Sequence, residues 1–584
     1  MCAIFGVFYD SLLESVSPRF ESSLSLIRHR GPDGLRVIKN ERCWMAQSLL
    51  SITRFPPLQD QPRFLRSGKV CFSFNGEIYN YKVLKDKHRL PVPLDFNDTD
   101  VFCALLERFD LEKTIDLIDG VYAFALYDLE KRELILGRDP LGEKPLYFRN
   151  DRGIFWYSSE LIGVANDSYP RLSINLEFFR SFLALGFTSK NAFETLDVCE
   201  IKPGSIVRFW FYREDVQQKE ICCKKIRGSE GNIQDSDGKF LEDLISAVDE
   251  MTDCPVRGAI SLSSGIDSSL IAAALGSLGK NLMAFHFDTV VGEESRAASQ
   301  IAKACNLDFV TISYSESMID DFFCQLGDTC LPIFDPSALY FSEICKAAAE
   351  QGCRYIFTGD GGDELFNGYK RHRLQKYQRF LRLIPDSIIE SLLSRKFGQD
   401  LNFFYRALFE AISAEKRAWP PVCSKSFVGM PKVISNSGET LDISRWDFEN
   451  FLPYNGFIKS ERIAMRNGLE VRMPLLRSSL CSFSPRAGGK GQGLDKIHLR
   501  GVLSQINKVA EQEVSREKKG FDPSHQLIQS LSSRIPVTFT EKVQEGLISL
   551  NSGVRPSDLS ASLKIKLYVF ERWCEIHNFG LLSR

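Results

Sequence analysis

Ala259-Ile260-Ser261-Leu262-Ser263-Ser264-Gly265-Ile266-Asp267-Ser268-Ser269 reads as an apolar strand, a polar loop with one glycine, and the start of a helix. The pattern recurs downstream. Gly258 to Leu262 predicts a strand, Ser269 to Leu278 a helix, Leu282 to Phe287 a strand, Ser295 to Cys305 a helix, and Tyr355 to Thr358 a strand. Such alternation predicts a parallel sheet with crossover helices, and residues 375–560 read as mostly helical. Upstream the period changes. Val70 to Phe74, Val121 to Tyr127, Leu134 to Leu136 and Ile154 to Tyr157 are short alternating runs. Gly31-Pro32-Asp33-Gly34, Asn75-Gly76, Asp139-Pro140-Leu141-Gly142 and Lys202-Pro203-Gly204 read as turns between them. The chain therefore divides into a β-rich part (2–205), a linker (206–239, most polar from Asp215 to Lys239), an α/β part (240–560) and a tail (561–584).

Composition bounds the function classes. The 584 residues favour at least two domains. Lys and Arg total 73 against 75 Asp and Glu, a net charge of −2, which gives no pull toward nucleic acid or an anionic membrane. Sixteen cysteines are scattered without a C-x-x-C pair, so no zinc ribbon is expected, and seven histidines argue against a His-rich metal centre. MCAIFGVFYD lacks a basic region and a long apolar core, so it does not read as a secretory signal. No apolar run is long enough to span a membrane. Reduced thiols and a cytoplasmic location are the expectation.

Cys2 follows the initiator Met. Removal of Met1 would put a thiol and an α-amine on one residue, and an amine of pKa near 8 is partly free base at neutral pH and can activate its own side chain. A buried, inert cysteine at the start of a strand would look the same. Phe74-Asn75-Gly76-Glu77-Ile78-Tyr79-Asn80-Tyr81 places an amide and a glycine N–H beside a carboxylate. Asn75 and the Gly76 N–H suit an oxyanion hole, and Glu77 with Asp98 suits the α-amine of an amino acid. Each segment alone also fits a hairpin.

In the second part, backbone N–H groups and hydroxyls at a helix N-terminus make an anion cradle, with Asp267 placed to hold a metal against phosphate. A plain capped helix after a strand is the alternative. No Gly-Lys-Ser/Thr follows, so this is not a Walker loop. Phe357 to Tyr369 (FTGDGGDELFNGY) packs three carboxylates and several glycines into a turn, as a metal–phosphate site or a solvated loop would.

Taken in order, Cys2, RHRGPDG, FNGEIYNY, GVYAFALYD, GRDPLGEKPLYF and YSSEL resemble class II glutamine amidotransferases, and most closely the asparagine synthetase family. SSGIDSS resembles the pyrophosphate loop of ATP pyrophosphatases. TGDGGDELFNGY, Asp335-Pro336-Ser337, KSERIAMRNGLEVRMP, GGKGQGLDKIHLR and REKKGFDP resemble successive elements of the same family. The resemblance implies a four-layer αββα (Ntn-hydrolase) sandwich, followed by an α/β domain of adenine-nucleotide α-hydrolase type with a helical C-terminal part. It implies that Cys2 attacks the glutamine amide, aided by Asn75 and Gly76, with Glu77 and Asp98 binding glutamine. It further implies ATP contacts at Leu262, Ser263, Ser264, Gly265, Asp267, Ser268, Ser269 and Gly359, Mg²⁺ at Asp267 and Asp363, and catalytic roles for Asp360 and Lys496. The expected reaction is ATP-dependent amidation of a carboxylate through an acyl-adenylate, with aspartate the default acceptor. The alternatives are a sugar uronic acid or peptidoglycan precursor, an ammonia-dependent synthetase with an impaired glutaminase, and a non-catalytic homologue. The partners are small molecules only, and a homodimer is compatible.

Several positions depart from the family pattern. Ala3 stands for Gly. Gln47-Ser48-Leu49-Leu50-Ser51-Ile52 stands for His-x-Arg-Leu-Ser-Ile, so Leu49 replaces the arginine that clamps the glutamine carboxylate. Losing such a bidentate contact costs about 2 kcal/mol or more of binding; Arg54 is a candidate substitute. Asp360 stands where many members have Glu, and Leu475-Leu476-Arg477 replaces Phe-Leu-Asp.

Overall fold

The computed structural model describes residues 2–9, 16–53, 60–165 (except 152), 198–223 (except 213–214), 236–288, 293–319, 331–369 (except 336), 446–483 and 496–514, with scattered positions at 172–173, 182, 186–188, 372 and between 565 and 580. Arg54, the segment 488–495, the REKKGFDP segment and most of the stretch and tail expected beyond 375 lie outside the described residues.

The N-terminal strands are β1 (Cys2–Tyr9), β2 (Gly34–Lys39), β3 (Cys43–Leu49), β4 (Arg63–Leu65), β5 (Val70–Ile78), β6 (Gly120–Asp128), β7 (Glu133–Arg138), β8 (Tyr147–Asp151), β9 (Ile154–Ser158), β10 (Leu172–Ser173), β11 (Cys199–Glu200), β12 (Ser205–Tyr212) and β13 (Asp215–Cys223). Two antiparallel sheets form, ordered β11-β8-β9-β1-β3-β2 and β13-β12-β7-β6-β5-β4. Successive side chains of a strand point to opposite faces. In β1, Ile4 and Phe8 enter the layer between the sheets, with Phe8 4.5 Å from the Tyr127 ring. Phe5, Val7 and Tyr9 face the other way, and Phe5 packs 5.0 Å from Phe20 of the helix Val16–Ile27. On the far sheet, Phe72, Phe74 and Phe124 close on Phe102 of the helix Asp98–Arg108, at 5.5, 5.4 and 5.7 Å. Both sheets are thus apolar on both faces, and the layers run αββα. Each buried Phe stabilises this stack by roughly 2–3 kcal/mol.

Two sequence expectations are corrected. Asn75-Gly76 is not a turn. It lies inside β5, paired with Ala123 and Tyr122 of β6. The glycine is needed for close approach: a Cβ there would lie 2.2 Å from the Val121 carbonyl oxygen. Nor is 206–223 a linker, because β12 pairs with β7 and β13 closes the sheet edge. Its polar Gln217, Gln218, Lys219 and Glu220 are exposed, as suits an edge strand that must not recruit another chain. The helix Ser236–Thr252 also begins inside the expected linker.

Beyond it lie β14 (Gly258–Ser261), β15 (Met283–Asp288), β16 (Asp308–Ser313), β17 (Tyr355–Phe357) and β18 (Glu470–Arg472), all parallel in the order β16-β15-β14-β17-β18. A short pair, β10 with β19 (Phe579–Gly580), runs separately. The helices Ile266–Ser277, Glu293–Ala304 and Ser337–Glu350 make the crossovers. The first is buried from Ser268 to Leu275 and apolar on every side from Leu270 onward, as a helix enclosed by its neighbours should be. The chain winds outward from β14 through β15 to β16, then returns to the other side at β17. That reversal opens a crevice at the carboxyl ends of β14 and β17, where doubly wound sheets bind ligands.

Buried charge joins the two domains. Arg30, fully buried after the first helix, bonds Glu160 at 3.0 Å and pairs with Glu461 of the second domain. Asp33 meets Arg354 at 3.0 Å, and Arg477 bridges Asp119 (3.0 Å) and Glu250 (2.7 Å). Burial opposes ionisation of Glu461, but Arg30 and Arg462 hold it at about 2. A carboxyl lowered from 4.5 contributes stability that is present above pH 4.5 and is lost as pH falls toward 2. Glu461→Gln should therefore lower the urea midpoint at pH 7 by the equivalent of about 3 kcal/mol, with the gap from wild type closing near pH 2.

Candidate active sites

Cys2 is the first residue of β1, buried, with Leu49 of β3 as its strand partner. Its backbone N donates to Asn75 Oδ1 at 3.0 Å. That leaves Asn75 Nδ2 buried with no acceptor, a donor held ready beside the cysteine. Gln47, in the family's His position, spans to β5 instead: its Nε2 donates to the Phe74 carbonyl (3.0 Å) and its Oε1 accepts from Phe74 N (3.4 Å). Both ends of this amide tie β3 to the strand that carries Asn75.

A cavity of about 520 Å³, open solvent at its mouth included, is lined by Cys2, Leu49, Gly76, Glu77, Asp98 and Glu470 among others. Asp98 is placed by a capping box, in which Asn97 and Asp100 exchange side-chain bonds with each other's N–H at 3.0 Å. Asp98 accepts from Ile78 N at 3.2 Å. Burial raises its carboxyl to about 6 against that bond and one from Thr99 N. The structure thus brings Cys2, Asn75, Gly76, Glu77 and Asp98 together. Leu49 supplies no charge, and none of the described residues lining the cavity is Lys or Arg.

Glu77 has an unexpected partner. Arg472 of β18, wholly buried, donates from Nη2 to Glu77 (2.7 Å) and from Nε to Glu470 (2.7 Å). Burial and the adjacent Glu470 raise Glu77 well above the carboxylate range despite Arg472. Glu470 is also penalised by burial, but Arg472 and its bond with Glu77 bring it to about 2. Burial thus disfavours charge on Glu77, while Arg472 favours it on Glu470. Sequence reading missed Glu470 and Arg472, although Leu469-Glu470-Val471-Arg472-Met473 shows the signal: charges at period two in a strand of a parallel sheet, where apolar runs are the rule.

The second site sits in the crevice. Past β14, Gly265 caps the helix Ile266–Ser277, whose first N–H groups face the loop. Ser263 is exposed and Ser264 half-buried, both available to a ligand. Ser268 Oγ bonds Ser263 Oγ at 2.9 Å and Ser269 Oγ donates to Gly265 O at 2.7 Å, so these hydroxyls shape the loop from within. Leu262 spends both backbone groups on β15, its N donating to Phe285 O and its O accepting from His286 Nδ1, each at 2.9 Å. Its side chain is buried. The loop after β17 presses on Asp267: a Cβ on Gly362 would lie 2.3 Å from Asp267 Oδ1, and one on Gly359 2.8 Å from Asp267 Cβ. Lys496 Nζ pairs with Asp267 and lies 3.0 Å from Asp363 Oδ1. Burial disfavours its charge, but these two carboxylates raise its pKa. Asp360 Oδ2 accepts from Thr358 Oγ1 at 3.0 Å, and Lys459 Nζ donates to Ser337 Oγ at 3.2 Å beside Asp335 (3.7 Å).

An antiparallel αββα sandwich with a buried cysteine beside an unpaired amide donor, joined to a doubly wound domain with an acidic glycine loop at its crevice, defines an amidotransferase coupled to a nucleotide-type site. Residues 1–220 match the family described as glutamine amidotransferase domain, and residues 239–547 the one described as asparagine synthase. The chain belongs to the asparagine synthase family and is a glutamine-dependent amidotransferase of the asparagine synthetase type. It is 25% identical over 566 residues to the glutamine-hydrolysing asparagine synthetase 1 of Bacillus subtilis, covering 89% of this chain and 87% of that protein. It is 27% identical over 393 residues to asparagine synthetase 2 of Arabidopsis thaliana, covering 63% and 61%. It is 25% identical over 408 residues to amidase chry2 of Gibberella zeae, covering 62% and 56%. No helix among the described residues is long and apolar enough to cross a membrane.

The raised Asp98 carboxyl makes a prediction. Its charge is penalised by burial, so its contribution to stability is fully present below pH 3.8 and is lost as pH rises through about 6. Asp98→Asn should stabilise the chain by up to roughly 3 kcal/mol at pH 7.5 and by nothing below pH 4, read from paired denaturation curves.

Proposed function

We propose that this enzyme releases ammonia from glutamine at Cys2 and uses ATP to convert a carboxylate, aspartate by default, to its amide through an acyl-adenylate. The observation that carries the reading is Lys496, whose ammonium spans Asp267 after β14 and Asp363 in the loop after β17. It ties the anion cradle to the acidic loop at the sheet's crevice.

At the first site the Cys2 thiol attacks the glutamine side-chain amide, and ammonia leaves as the thioester forms; water then releases glutamate. Asn75 Oδ1 holds the Cys2 nitrogen that serves as base once Met1 is removed. Asn75 Nδ2 and the Gly76 N–H receive the oxyanion, an arrangement worth roughly 100- to 1000-fold in rate per donor. At the second site the Ser263–Asp267 loop and the helix N-terminus receive phosphates. The acceptor carboxylate displaces pyrophosphate to give acyl-AMP, and ammonia displaces AMP. Lys496 offsets the charge on the phosphates, and Asp360 faces the acceptor.

The carboxylate oxygens that meet at the Lys496 ammonium fit an oxygen-preferring cation, so Asp267 and Asp363 would hold Mg²⁺. Among the described residues no group of three His, Cys, Asp or Glu side chains is placed to hold a metal ion, so phosphate oxygens would complete its shell. When bound, the ion neutralises the leaving pyrophosphate.

A different acceptor is the second reading. Asp360 is one methylene shorter than Glu and bonds back to Thr358, which draws it toward its own strand and leaves room for another carboxylate.

The test is pyrophosphate release with ATP, Mg²⁺ and aspartate, driven by ammonium or by glutamine. Both arms should be active in the wild type. Cys2→Ala should abolish the glutamine arm and spare the ammonium arm, while Lys496→Ala should lower both at least 100-fold. Silence of the ammonium arm with aspartate overturns that acceptor and favours the second reading.

A further inference from the structure

We infer that the glutamine site is completed by the second domain: Glu470 forms a wall of the glutamine cavity, and Arg472 is a positioning residue that fixes the Glu77 carboxylate within it. The inference rests on the glutamine reading above. Glu470 stands in the cavity lining together with residues of the first hundred positions. Arg472 does not reach the cavity itself. Its guanidinium is stacked 4.3 Å over the Tyr355 ring, with Nη1 3.7 Å from the Cys254 sulfur and its remaining donors on Glu77 and Glu470. Glu77 is fixed at its other end as well, since β5 holds its backbone against Val121. The carboxylate thus has one orientation, set by a side chain 395 positions away.

The charge balance names the ligand. Glu77, Glu470 and Asp98 offer three carboxyls against one guanidinium, that of Arg472. A ligand ammonium supplies a second positive charge to this acidic set. With Leu49 in place of the clamping arginine, recognition is carried on the ammonium side of the substrate. The ligand class is an amide that bears a free α-amine, as glutamine does. The arrangement also reaches the second site, because the Arg472 carbonyl accepts from Thr358 N at 3.0 Å, at the root of the acidic loop.

Full-length Arg472→Lys, Arg472→Met and Glu470→Gln test the inference. Glutaminase KM and kcat are measured, together with the ratio of glutamine-driven to ammonium-driven pyrophosphate release. Arg472→Lys should raise KM for glutamine about tenfold with little loss of kcat. Arg472→Met should lower kcat/KM about 100-fold, with partial recovery in the Lys variant. The glutamine-to-ammonium ratio should fall in each. Parallel loss of both arms, which a merely structural role produces, overturns the inference. Where Arg472→Met fails to fold, Glu470→Gln decides, because it keeps the shape of the wall: a KM at least fivefold higher supports the inference and an unchanged KM overturns it. A wild-type chain that hydrolyses no glutamine overturns the glutamine reading and this inference together. An active wild type with unmoved variants overturns this inference alone.

Discussion

The structure depends on a requirement of buried charge: a guanidinium taken out of water must find carboxylates. Arg30 and Arg472 are both fully buried, and each divides its donors between two acids. For each, at least one acid lies across the domain junction. Removing one partner from such a group is expensive, while the intact cluster adds little net stability over an apolar junction. Its value is therefore geometric. It admits one relative placement of the domains, because no other brings Glu461 to Arg30 and Glu77 to Arg472 at once.

That placement gives β18 a double role. As the edge strand of the parallel sheet it hydrogen-bonds β17, whose continuation is the acidic loop. Its other side is free to face the sandwich. Val471 is buried in the sheet core, while Glu470 and Arg472 alternate with it, Glu470 lining the cavity beside Cys2 and Arg472 bonding Glu77 behind it. Period-two alternation is normally a way to separate core from solvent. Here it separates one domain's core from the other domain's site.

Much of this was legible in the sequence. Five elements between Gly258 and Phe357 fall within a few residues of where periodicity places them, whereas the strand Asp308–Ser313 and the helix Ser337–Glu350 were not expected from it. Cys2, Asn75, Gly76, Glu77 and Asp98 converge as the motif order implies. What failed has particular causes. Asn-Gly usually signals a hairpin through its tolerance of positive φ, but Gly76 serves a different property of glycine, its lack of a Cβ against Val121. The Asp215–Glu220 stretch looked like a linker because an edge strand and a linker share polarity, and only the pairing of β12 with β7 separates them. The pairs Arg30–Glu461 and Glu77–Arg472 span 431 and 395 positions, which no local pattern encodes.

The departures from the family pattern fall into two kinds. Arg477, where the pattern has Asp, is absorbed structurally: it bridges Asp119 and Glu250 and stacks 4.6 Å over Tyr79, so a reversed charge becomes a junction contact. Gln47 is likewise absorbed, since both ends of its amide tie β3 to β5. Leu49 and Asp360 are not compensated among the described residues. Leu49 puts an apolar side chain in the cavity wall where the family pattern has arginine, and Asp360 turns back to Thr358. Structural departures are repaired by neighbours, because an unpaired buried charge would unfold the junction. The uncompensated pair lies at positions that the proposed reaction would turn toward its ligands. Under the proposed reaction, selectivity at its two ends, amide donor and carboxylate acceptor, is therefore where this chain would have the freedom to differ from its relatives.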